Sequence, residues 1–162
     1  MRLTVYTDYA IRLLIYLGLR EGSLSTIEEV ARAYGISRNH LMKIAHKLGQ
    51  AGFVETVRGR GGGLRLAPEM LARTLGDLIR ETEDDLHLAE CFDAETSTCL
   101  IRDACYVQPI LAEALDAYLT VLDRYTLGDV IAAHRSGAHG LTALLFPDLV
   151  VEESDPPPRP SL

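Results

Sequence analysis

Cys91, Cys99 and Cys105 are the residues of this chain best suited to chemistry. Thiolates are soft ligands for zinc or for an iron–sulfur cluster, and all three stand in one short stretch. Seven residues separate the first pair and five the second. That is not the C-x-x-C spacing of zinc ribbons, and no His lies between the cysteines or shortly after them. As ligands the three thiolates would leave one position, for which His87, Glu90, Asp93, Glu95 and Asp103 are the local candidates, and three ordinary cytosolic thiols are the alternative. Carboxylates crowding such a loop raise thiol pKa values and disfavour the thiolate unless a metal holds it. An odd number of cysteines also argues against a disulfide scaffold.

A second concentration of chemistry is Arg58-Gly-Arg-Gly-Gly-Gly63, followed by Arg65. Glycines let the backbone approach a ligand closely. Arg58 and Arg60 can enter a narrow minor groove, and Arg65 can reach a phosphate. The segment lacks the Lys-Ser/Thr ending of a P-loop, and its glycine spacing is not the dinucleotide fingerprint. A bland flexible turn would leave three arginines around four glycines unexplained.

These groups need elements to hold them. Ala10, Leu13, Leu14 and Leu17 recur at helical spacing and predict a first amphipathic helix, ended by Gly22. Ser25-Thr-Ile-Glu28 reads as a capping box that opens a second helix through Val30, Ala31 and Tyr34, closed by Gly35. Ser37 caps a third, with Leu41, Ile44, Ala45 and Leu48 as its buried stripe and Gly52 near its end. The opposite face carries Asn39, Lys43, His46 and Gln50, flanked by Arg38, His40 and Lys47. Asn and Gln pair with adenine and Lys with guanine, while the remaining cations suit phosphate. Phe53-Val-Glu-Thr-Val57 alternates as a strand, and Leu64-Arg-Leu66 can return beside it. A helix, a glycine turn, a second helix and a basic hairpin give a mainly α fold with a β-hairpin wing, a winged helix-turn-helix.

Thr74-Leu-Gly-Asp77 opens a fourth helix, and the same tetrapeptide recurs at Thr126 to Asp129 as a reused helix start. From Pro109 a long helix runs to Tyr125, with Leu111, Ala114, Tyr118, Val121 and Tyr125 spaced as a coiled-coil seam and Ile110, Leu115, Leu119 and Leu122 as a second row. Two apolar rows predict packing on its own domain and on a partner helix, hence a homodimer, with burial inside a monomer as the alternative. The expected organisation is a winged helix-turn-helix DNA-binding domain over 1–84, a cysteine loop over 85–107, a dimerisation helix and C-terminal helix over 108–147, and a disordered tail over 148–162.

Charge divides along the chain in the same way. The overall net charge of −7 speaks against a polyanion partner. Residues 1–66, however, hold ten Lys and Arg against five Asp and Glu, net +5, and residues 67–162 hold six against eighteen, net −12. Only the N-terminal part suits DNA. The longest apolar run, residues 13–19, is far short of the ~18 to 20 residues of a bilayer span. Asp8 and Arg12 interrupt the first apolar stretch, which a signal peptide would need unbroken. A cytoplasmic protein with no membrane partner is expected. Neither a Ser-His-Asp nor a paired-carboxylate pattern points to an enzyme.

The stretches Thr7-Asp-Tyr-Ala-Ile-Arg-Leu-Leu14, Tyr34-Gly-Ile-Ser-Arg-Asn-His-Leu-Met-Lys-Ile44 and Val57-Arg-Gly-Arg-Gly-Gly-Gly-Leu-Arg-Leu66, together with the three cysteines, resemble the Rrf family of bacterial iron–sulfur winged-helix repressors over about residues 1–133. The resemblance implies a homodimer with one iron–sulfur cluster per subunit, 2Fe–2S or 4Fe–4S, bound by Cys91, Cys99 and Cys105. Within the family it implies the nitric-oxide-sensing branch, with the partner subunit's Asp8 as the fourth ligand. Such a repressor would hold double-stranded operator DNA through Ser37, Arg38, Asn39, His40, Lys43, Lys47, Arg58, Arg60 and Arg65. It would release the operator when the cluster reacts with nitric oxide or is lost. Two sibling branches compete. Regulators of iron–sulfur biogenesis place a His shortly after the third cysteine, where this chain has Tyr106, Val107 and Gln108. Rhizobial iron regulators share the seven-residue gap. Readings of another class differ further, since an electron-transfer protein gives no reason for the +5 segment and a zinc-stabilised interaction module would be colourless and indifferent to nitric oxide.

Overall fold

The computed structural model describes residues 2–135 and 141–146, and the tail expected over 148–162 lies outside them, as does Pro147. Helix α1 spans Val5–Leu19, with the Thr4 hydroxyl accepting from the Thr7 N–H at its start. Ala10, Leu13 and Leu14 are fully buried and Leu17 nearly so, as their spacing predicts. Helix α2 covers Ile27–Tyr34 and α3 covers Arg38–Gln50. Between them Gly35 adopts φ +63, a left-handed turn that a residue without Cβ enters freely. The α3 stripe Leu41, Ile44, Ala45 and Leu48 is buried as expected.

The start of α2 corrects the sequence reading by one residue. Thr26, not Ser25, is the cap: its hydroxyl accepts from the Glu29 N–H, and the Glu29 carboxylate accepts from the Thr26 N–H at 2.6 Å. Ser25 is committed elsewhere. Its N–H donates to the Leu64 carbonyl at 2.9 Å and its carbonyl accepts from the Leu64 N–H at 2.8 Å, which places its side chain in the interior.

Strands β1, Val54–Val57, and β2, Gly63–Leu66, pair antiparallel with Val54 opposite Leu66 and Val57 opposite Gly63. The Ser25–Leu64 bridge adds a short third member to this hairpin. Phe53 is buried just before β1, its N–H donating to the Leu48 carbonyl near the end of α3, so α3 and the hairpin are joined without slack.

Helices α4, Leu75–Thr82, α5, Val107–Leu122, α6, Leu127–Arg135, and α7, Leu141–Leu145, complete the described chain. The two Thr-Leu-Gly-Asp starts share one device, in which the Asp N–H donates to the Thr hydroxyl and the Thr N–H donates to the Asp carboxylate. They also meet. Thr74 and Thr126 form a β-bridge in which the Leu75 N–H donates to Tyr125 and the Leu127 N–H to Arg73. This pairing returns α6 to the winged-helix core, where Leu127 and Ile131 are buried together with Leu145 and Phe146. The core thus draws on the 108–147 stretch as well as on 1–84. Phe146 packs its ring 4.9 Å from that of Tyr16.

Candidate nucleic-acid interface and cysteine loop

Burying the α3 stripe forces the opposite face of that helix outward. Ser37, Arg38, Asn39, His40, Lys43, His46, Lys47 and Gln50 are all exposed. Two of the cations are already engaged. Arg38 leans toward Glu28 of α2 at 3.9 Å, and the Lys47 ammonium sits 4.8 Å from the centre of the Tyr6 ring in α1. An exposed ion pair and an exposed cation–π contact each hold a side chain weakly, ~0 to 1 kcal/mol, and do not withhold it from a phosphate. Ser37 stands at the helix start with no side-chain capping bond, its hydroxyl uncommitted. One exposed member of this face is apolar: Met42, which the sequence reading passed over. Its signal was present, an apolar residue outside the stripe of Leu41, Ile44, Ala45 and Leu48.

Arg58 and Arg60 stand exposed at the hairpin tip, where Gly59 and Gly61 take φ of +102 and +79. Arg65, in the third register pair from the tip, meets Glu55 across the strands, so its charge is partly spent within the wing. At the base a different constraint appears. A Cβ on Gly63 would stand 2.8 Å from the Ser25 carbonyl oxygen, closer than Cβ atoms approach oxygen in proteins. Glycine here lets the wing dock on the segment before α2.

Cys91, Cys99 and Cys105 are free thiols, each half-buried. Cys91 lies in a 3-10 turn, Glu90–Phe92, and Cys105 ends another, Arg102–Ala104. The loop is held by local bonds, such as Thr96 to Asp93, the Cys99 N–H to Ser97, and Arg102 to the Ala94 carbonyl. Asp93 is held below the usual carboxylate range, first by the Thr96 hydroxyl and then by the Glu95 N–H. Among the described residues of one chain, no three His, Cys, Asp or Glu side chains are gathered closely enough to hold a metal. The donor chemistry nonetheless suits a thiophilic group: three thiols without disulfide partners, on a backbone tied only to itself, which a ligand could draw together. Asp8 is placed elsewhere, in the first turn of α1, paired with Arg12 four residues on at 2.9 Å.

That first turn is a junction. The Glu83 carboxylate at the end of α4 accepts from the Thr4 N–H at 2.9 Å, the buried Thr7 hydroxyl donates to Thr82 at 3.0 Å, and Lys47 of α3 covers Tyr6. Burial, followed by Glu81 and Asp84, pushes the Tyr6 phenol up, so it stays neutral under the ammonium.

Helix α5 has no buried residue. Leu111 and Tyr118, assigned to the seam from sequence, instead line a cleft of about 550 Å³ against residues 2–4 and 83–88 of their own chain. Ala114, Val121 and Tyr125 are exposed, and the outward row runs through Val107, Ile110, Ala114, Ala117 and Val121. Its spacing of 3, 4, 3 and 4 is that of a helix–helix seam, displaced around the helix from Leu111 and Tyr118.

Residues 3–133 match the model of the Rrf2 family, an iron-dependent transcriptional regulator. The HTH-type transcriptional regulator NsrR of Bacillus subtilis (strain 168) is 52% identical over 132 residues, covering 81% of this chain and 90% of that protein. CymR (YrzC), the global cysteine regulator of B. subtilis, superposes with a TM-score of 0.66 at 26% identity, covering 82% of this chain and 98% of CymR. IscR of T. potens shares the fold, with a TM-score of 0.67 at 24% identity over 85% of this chain and 91% of its own.

Proposed function

This chain belongs to the Rrf2 family of transcriptional regulators, and from that membership we propose that it is a homodimeric, operator-binding repressor that senses nitric oxide through an iron–sulfur cluster. It is a regulator and not an enzyme. The observation that carries the DNA-binding reading is the exposed amide and cationic face of α3 beside the Arg58–Arg60 wing tip, both fixed to one core. In this reading Asn39, Lys43 and Gln50 face base edges, Ser37, His40 and Lys47 face phosphates, and the wing arginines follow the minor groove. The row from Val107 to Val121 joins two copies, setting the two α3 helices for half-sites one turn of DNA apart.

Cys91, Cys99 and Cys105 would hold the cluster, with the partner subunit's Asp8 completing it. When bound, the cluster supplies iron that reacts with nitric oxide. What the chain's own residues do is mechanical. With Asp8 engaged across the dimer, Arg12 keeps the carboxylate oriented and the Thr4, Thr7 and Tyr6 contacts pass its position to α4 and α3. Freed, the first turn loses that restraint. A difference of ~1 to 3 kcal/mol between the two arrangements changes operator affinity 5- to 150-fold.

The test is binding of the anaerobically purified protein to a duplex that it has itself selected from a randomised library, at fixed salt, before and after nitric oxide. Release by nitric oxide, together with losses of ~1 to 3 kcal/mol in Asn39→Ala and Lys43→Ala, is expected. Unchanged affinity in both variants would remove α3 from the interface. The seven-residue gap after Cys91 and the family's iron dependence favour one second reading, an iron-responsive regulator. Release on iron chelation with indifference to nitric oxide would establish it.

A further inference from the structure

Resting on the assignment of α3 as the reading helix, we propose that Met42 reads the 5-methyl group of a thymine in each half-site. Met42 is 44% exposed on a helix whose other outward residues are polar or cationic. Its neighbours one turn away, Arg38 and His46, are exposed, and Asn39 lies three residues before it. At 100° per residue Met42 falls on the flank toward α2, the side on which Arg38 approaches Glu28, whereas Lys47 occupies the flank toward α1. The α2 edge of the reading face thus sets an apolar side chain beside Arg38, whereas the α1 edge carries Lys47.

Thymine is the base that presents an apolar group in the major groove, its C5-methyl, and apolar side chains recognise it by contact. A thioether on an unbranched chain adapts to a methyl surface, and leucine, of similar volume, can offer it a comparable apolar contact. In water the exposed side chain gains nothing from its position, while against a methyl it removes apolar area from solvent. Buried methyl-sized contacts contribute ~0.8 kcal/mol, so the contact amounts to about a fourfold preference per half-site.

The experiment replaces thymines one at a time by deoxyuridine, which deletes only the methyl, in a duplex selected by the wild-type protein. Binding of the full-length protein is measured for wild type, Met42→Ala, Met42→Leu and Lys43→Ala. One thymine per half-site should cost wild type about fourfold on demethylation, cost Met42→Leu about as much, and cost Met42→Ala nothing. Because residue 42 lies on the surface, all the variants should fold, and circular dichroism verifies this. If no thymine couples to residue 42 while Lys43→Ala still weakens binding, the proposal falls and the reading helix stands. Should Lys43→Ala also bind like wild type, the helix assignment falls and takes the proposal with it.

Discussion

Replacing Gly63 by alanine asks whether the wing is set by its docking on the segment before α2. The new Cβ would stand 2.8 Å from the Ser25 carbonyl oxygen, 3.1 Å from Leu24 Cβ and 3.2 Å from the Ser25 carbonyl carbon. Two of these are backbone atoms, and the same Ser25 backbone is tied to Leu64 by hydrogen bonds of 2.9 and 2.8 Å. No side-chain rotation on the receiving side relieves the contact, so the hairpin must lift. Overpacking of this kind costs ~1 to 3 kcal/mol. Stretching two backbone hydrogen bonds, each contributing ~0.5 to 1.5 kcal/mol, adds part of that again. A loss of ~2 to 3 kcal/mol is expected in urea denaturation, with a lower midpoint and an unchanged slope. Arg58 and Arg60 ride on the displaced hairpin, so operator affinity should fall even where the variant is fully folded. Gly61→Asn is the control. At φ +79 with nothing within 4 Å of its Cβ, that site accepts asparagine, a residue that tolerates left-handed backbone, at little cost. A Gly63→Ala protein within ~0.5 kcal/mol of wild type and unchanged in DNA binding would refute the docking argument.

Thr26→Ala removes the hydroxyl half of the α2 capping box and should cost ~1 kcal/mol in denaturant titration. The Glu29 carboxyl is held below its ordinary range, chiefly by the Thr26 N–H, so its contribution is complete above the unfolded carboxylate range and lost as pH falls through the depressed native value. Thr26→Ala keeps that N–H, so both proteins should lose stability in acid, and the gap between them should narrow only by the smaller share that the Thr26 hydroxyl contributes. Burial pushes the Tyr34 phenol up to about 12, so the stability it contributes is intact below its ordinary value near 10 and is lost as pH rises through the native one. Tyrosinate absorbance of wild type minus Tyr34→Phe isolates this titration, and a midpoint near 10 would contradict the burial. Val121→Glu places a charge on the outward row of α5 and should shift sedimentation toward monomer, while Tyr118→Phe, facing its own chain, should remain dimeric. The reverse pattern would return the seam to Tyr118.

Periodicity made most of the winged-helix core legible, because the stripes of α1 and α3 are set by helical geometry alone. Where two local patterns competed, distant contacts decided. Ser25 and Thr26 each have a Glu three residues on, and only the pairing of Ser25 with Leu64 makes Thr26 the cap. Both apolar rows of α5 were visible, but not that Leu111 and Tyr118 line a cleft against residues 2–4 and 83–88, a neighbourhood that only the tertiary fold creates. The repeated Thr-Leu-Gly-Asp could be seen as two helix starts, whereas their pairing depends on a return of the chain that no local pattern encodes. Lys47 was legible as a cation and not as the lid on Tyr6, a contact between helices far apart in sequence.

The bridge between Thr74 and Thr126 makes the intervening chain a closed ring. The cysteines and the outward row of α5 lie on that ring, while α3 and the wing lie outside it. Closure entropy grows only with the logarithm of ring length, so even doubling the ring adds ~0.6 kcal/mol. Residues can therefore be gained or lost between Cys91 and Cys99 without a register shift reaching the α3 surface. Cysteine spacing and the α3 surface can drift independently under selection, each variant inheriting the other half intact.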